Sequence, residues 1–174
     1  DHAMYGADLL FGPEQMIRRF VKDPSFDQLI CVAIAKHSDF KLEGIEDERT
    51  LLHARLIRDA DKLDNCRVKL EESMETLLDM DEKTVGASPI SPKVWESCKA
   101  EKSVLSADRK TGMDYWMSYL ALYFDINFPE TYQIIKEQDY IRRIAERVPY
   151  SREDTKEKVA YTVKKLEEKM NIQQ

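Results

Sequence analysis

Residues 49–70 read RTLLHARLIRDADKLDNCRVKL. Leu52, Leu56, Ala60 and Leu63 recur at steps of three and four, the period that stacks side chains on one face of an α-helix. The stretch predicts a long helix opening at Asp47, with those four residues on its core face. The pattern continues or breaks near Asn65, before Met74, Leu77 and Leu78.

Upstream lies a polar loop, SDFKLEGIE, at residues 38–46. Before it, LICVAIA at 29–35 carries no charge on any side. A helix that is apolar all round is a buried helix, so residues 25–36 are expected to form the most buried element. Ser25 is its expected cap, with Gln28 completing a capping box. Asp23-Pro24 breaks the chain in front of it, because the residue before proline avoids the α region. A short helix with Met16, Ile17, Phe20 and Val21 on one side precedes that break. The first helix is capped by Asp1, places Ala3, Met4, Ala7, Leu10 and Phe11 at helical spacing, and stops at Gly12-Pro13.

Downstream, KTVGASPISP at 83–92 is the clearest breaker region, read as a loop or hinge. Ser91 and Pro92 suit the N-cap and first position of a helix. Thr111 caps the next one, rich in Tyr115, Trp116, Tyr119, Tyr123 and Phe124. With no interleaved Lys or Arg, this stripe reads as core rather than as a platform for stacking bases. Pro129 opens another helix, and Tyr140, Ile141 and Ile144 mark a further stripe. The last helix begins near Ser151 and carries Val159, Val163, Leu166 and Met170 on one seam. No hairpin signal and no internal period appear, so the expected fold is an all-α bundle rather than a solenoid.

The 174 residues include 27 basic and 33 acidic side chains, a net charge of −6. That balance argues against a general nucleic-acid binder or a basic membrane-surface protein. No apolar run approaches the roughly 20 residues of a membrane-spanning helix. Cys31, Cys66 and Cys98 are odd in number and form no CxxC, which argues against a disulfide framework or a thiolate zinc site. A reducing, cytoplasmic setting is the matching expectation.

Five scattered glycines cannot build a phosphate loop, and no Ser-His-Asp or Cys-His order stands out. The histidines are His2, His37 and His53. Asp61 lies beside Ala60 and Leu63, where an ionised carboxylate needs a cationic partner. A divalent metal is one such partner, since His and Asp together ligate Mn, Mg, Fe, Co or Zn. Arg58, three residues before Asp61, is the other, and a histidine at a helix end can serve only as a cap. His53 precedes Asp61 by eight residues, about 12 Å along one helix axis, too far to share an ion with it.

The stretches DHAMYGADLLF, AIAKHSDF and ERTLLHARLIRDADKLDN together resemble the HD-domain superfamily of metal-dependent phosphohydrolases, in particular its bacterial stand-alone members. The likeness covers about residues 1–70. It implies an HD-like helical core over residues 1–82, with 83–174 a helical extension packed on the same core as one domain. It implies metal-ligand roles for His2, His37 and Asp61, a bound divalent ion, and hydrolysis of a small phosphorylated molecule or nucleotide. Lys62 and Arg58 are the adjacent cations for a phosphate, or else partners of Asp59 and Asp64. The His-Asp dipeptide that names the family is absent from the chain. The expectation is that the chain starts after that pair, that by itself it binds metal weakly and is inactive, and that a homodimer contact or an open groove lies beside His2 and His37. An inactive HD-like ligand-sensing or interaction module is the competing expectation.

Overall fold

The computed structural model describes residues 2–172, and among them every regular element is helical, with no strand. The chain divides into two compact units, residues 1–61 and 62–174. The division falls inside one long helix, α3 (Glu48–Glu71), rather than at the expected boundary after residue 82.

In the first unit, α1 (His2–Phe11) packs along α2 (Asp27–Lys36). Ala3 and Ala7, one turn apart on α1, are buried, as is Ala33 on α2. Small side chains at this seam let the helices close. The expected cap at Asp1 lies outside the described residues. A 3-10 turn at Met16–Arg19 replaces the second short helix, and Arg18 forms an ion pair with Asp27 in the first turn of α2.

Two expectations need correction here. Ser25 is not the cap: Asp23 accepts from the Ser25 amide at 2.9 Å and starts a 3-10 turn, Pro24–Phe26, from which α2 continues without a side-chain cap. Residues 25–36 are also not the most buried element, since Ala33 alone is buried in α2. An apolar helix is buried only as far as there are layers to cover it, and a unit of this size offers few. Eight large apolar side chains stay exposed in this unit: Met4, Tyr5, Leu9, Phe20, Phe26, Phe40, Leu52 and Leu56.

The long helix opens where the sequence puts it. Asp47 accepts from the Thr50 amide at 2.7 Å and the Thr50 hydroxyl at 2.6 Å. The hydroxyl bond, then the amide bond, hold its carboxyl below the usual range. The period is right but the buried face is not the apolar one. Leu52 and Leu56 are 51% and 54% exposed, and Ala60 is exposed. Thr50, Ala54 and Arg58 are buried in the first unit, and Lys62, Cys66 and Lys69 in the second. Two polar members of these rows, Arg58 and Lys62, donate to carbonyls distant in sequence, and bonds of that kind favour turning this side of the helix inward.

The second unit holds the main core. Its centre is α7 (Gly112–Ala121), with eight of ten residues buried, including Trp116, Met117 and Leu120. Thr111 caps α7 as expected, and Asp114 completes a capping box with it. Asp114 is fully buried, and its carboxylate accepts from the Ser91 amide at 2.7 Å, the Ser91 hydroxyl at 2.6 Å, and the Lys110 and Thr111 amides at 2.9 and 3.1 Å. It thereby ties the start of α7 to the start of a second helix at Pro92–Lys99. Part of the expected breaker is helical: Glu82–Ala87 forms a short helix capped by Asp81. Gly86 is needed there, because a Cβ would stand 2.3 Å from the Pro149 carbonyl oxygen. The last helix, Glu153–Ile172, buries Val159, Leu166 and Met170 as its seam.

Candidate functional site

His2 and His37 are thirty-five residues apart, yet their imidazoles meet. The Nε2 atoms are 3.1 Å apart, the ring centroids 5.0 Å, and the ring planes cross at 70°. The packing of α1 along α2 brings them together, with His2 in the first turn of α1 and His37 capping the C-terminus of α2. Nδ1 of His37 lies 2.7 Å from the Ile34 carbonyl oxygen. A carbonyl only accepts, so Nδ1 carries the proton, and in the neutral ring Nε2 presents its lone pair toward His2.

Arg58 comes from α3 and is 7% exposed. Its Nη1 donates to the carbonyl of His37 at 2.9 Å and to that of Asp39, and its Nη2 donates to that of Phe40 at 3.0 Å. These are the carbonyls at and beyond the end of α2, where backbone acceptors lack helical partners and the helix dipole favours a cation.

Asp61 is exposed. Eleven and seven residues after Thr50 and Ala54, it lies near their side of α3 by helical period but, unlike them, is not buried. Among the described residues, no three His, Cys, Asp or Glu side chains form a group able to hold a metal ion. The preassembled donors are therefore the two histidines. His53 is half-buried on α3 and outside the pair. Lys62 belongs to the second unit, where it is 4% exposed; its ammonium donates to the Asp125 carbonyl and, at 2.9 Å, to Asp125 Oδ2.

Sequence reasoning selected His2 and His37 but not the role of Arg58. A cation in the middle of a helix looks like a surface charge or a phosphate ligand. Its targets are carbonyls eighteen to twenty-one residues away, and backbone oxygens leave no mark on composition. A signal was present in the spacing, since Arg58 lies four residues after Ala54 and eight after Thr50, on the row that turns inward.

The comparisons place no relative beside this site: no family model matches the chain, and no curated protein or solved structure matches it. No helix among the described residues is long and apolar enough to cross a membrane.

Proposed function

We propose that this chain carries metal-ligating histidines of a metal-dependent phosphohydrolase of the HD type, acting on a small phosphorylated molecule or nucleotide. The observation that carries the reading is the His2–His37 pair. Two nitrogens bound to one ion at about 2.0–2.1 Å lie about 3–3.4 Å apart, close to the observed 3.1 Å. The Nδ1–H bond to the Ile34 carbonyl matches the outer bond that orients a ligating histidine and frees its other nitrogen.

In this reading His2 and His37 hold a divalent ion through Nε2, and Asp61 supplies a carboxylate. When bound, such an ion lowers the pKa of a coordinated water and offsets charge on phosphoryl oxygens. Arg58 and Lys62 do not contact substrate in this scheme, because each already donates to protein oxygens.

Calorimetric titration with Mn or Co ions alone tests the ligand set. Weak, saturable binding that disappears in His37→Ala and weakens in Asp61→Ala supports it. Identical binding by the parent and His37→Ala rejects it. Where the protein hydrolyses a generic phosphoester in the presence of Mn, Asp61→Ala should abolish hydrolysis with little loss of folding. Hydrolysis that survives the change removes Asp61 from the ligands.

A further inference from the structure

We infer that Arg58 is a positioning residue for His37, setting the tautomer and direction of its imidazole by clamping the chain where α2 ends. The inference rests on the proposed role of His37 as a ligand, but the state of the ring is measurable without any metal.

At the end of α2 the Asp39 amide donates to the Lys36 carbonyl at 3.1 Å, but the His37 amide is less well held. The His37 amide reaches the Ile34 carbonyl at only 3.5 Å, the limit of a hydrogen bond. The same oxygen accepts from Nδ1 of the His37 ring at 2.7 Å. The ring therefore shares the acceptor with the amide and makes the shorter bond to it, with His37 in a helical backbone conformation (φ −63°, ψ −29°). The force that keeps it there comes from α3. Arg58 bonds the carbonyl of His37 itself and those of Asp39 and Phe40. A planar guanidinium spans three carbonyls that diverge after a helix end; an ammonium, a compact point charge, does not reproduce that fork.

The placement of Arg58 adds to the case. A guanidinium 7% exposed is costly unless its donors are bonded, and the α2 terminus supplies acceptors with the favourable sign of the helix dipole. Its hold on His37 is thus built into the packing. With the clamp removed, the last turn opens, Nδ1 loses Ile34, and the ring becomes free to protonate at either nitrogen. A ring protonated at Nε2 would then offer a donor N–H, not a lone pair, toward His2.

The experiment is long-range proton–nitrogen NMR on the metal-free chain with nitrogen-15 histidine, comparing the parent with Arg58→Gln and Arg58→Lys. The parent should show His37 protonated at Nδ1 alone, and Arg58→Gln should show both tautomers while the core signals of α7 stay in place. Cobalt ion alone should bind Arg58→Gln about tenfold more weakly, the loss typical of removing an outer-sphere support. A parent ring without the single Nδ1–H form, or an Arg58→Gln ring that keeps it, overturns the inference. If Arg58→Gln does not fold, Arg58→Lys is read by the same criteria. If neither folds, Arg58 acts on global stability and the inference falls. Failure of cobalt to bind the parent counts against the metal reading alone, since the tautomer measurement still decides the role of Arg58.

Discussion

The ammonium of Lys62 donates to Oδ2 of Asp125 at 2.9 Å, with the lysine side chain 5% exposed and the aspartate 41%. The asymmetry sets the cost of breaking the pair. Asp125→Ala removes a counter-charge from a buried cation, whereas Lys62→Met leaves a carboxylate that water can reach. We expect Asp125→Ala to cost about 2–4 kcal/mol and Lys62→Met about 1–2 kcal/mol. Urea unfolding of both variants checks this; the reverse order would show that the buried ammonium is sustained by other partners.

Asp114 should be among the least replaceable residues of the second unit. Its carboxylate serves four donors at the starts of two helices. Asp114→Ala leaves those donors without an acceptor in a closed site and should cost about 3–5 kcal/mol. Asp114→Asn, which keeps one acceptor oxygen, should cost less. Equal thermal midpoints for parent and Asp114→Ala would contradict this account.

The thiols should respond to alkali. Burial pushes Cys66 up to about 11 and Cys98 up to about 12. Between the ordinary thiol value of about 8.5 and those values, the unfolded chain has released protons that the folded chain retains. Stability contributed by the neutral buried thiols therefore falls as pH rises through that window. At pH 8 an aromatic disulfide reagent should titrate only Cys31, half-buried, in the native protein, and all three cysteines in urea. Rapid reaction of three thiols under native conditions would refute the burial of the other two.

Acid should loosen the helix at Glu82–Ala87. The Thr84 hydroxyl, then the Thr84 amide, hold the Asp81 carboxyl below its ordinary value. A depressed carboxyl contributes stability above its unfolded value, and that contribution is lost as pH falls through the folded one. The stability difference between the parent and Asp81→Ala should therefore be full at neutral pH and shrink below about pH 4. A difference independent of pH from 7 to 2 would mean that the ionised form is not what caps the helix.

Local chemistry was legible in the chain itself. The all-helical class, the opening of α3 at Asp47, the Thr111 cap, Pro92 and Pro129 at helix starts, and the Val159–Met170 seam all depend on residues within a few positions of one another, so the sequence determines them directly. The resemblance, rather than spacing, joined His2, His37 and Asp61; the structure brings the two histidines together, and among the described residues no third His, Cys, Asp or Glu completes a metal-holding group with them. Tertiary structure alone decided which side of α3 faces inward. Hydrophobic period places Leu52, Leu56 and Ala60 in the core, yet the helix buries Arg58 and Lys62, because the carbonyls at the end of α2 and at Asp125 require donors. The demand for a hydrogen bond belongs to backbone atoms that every residue shares, so it becomes visible only when the chain has folded and brought a distant carbonyl within reach of the one side chain that can satisfy it.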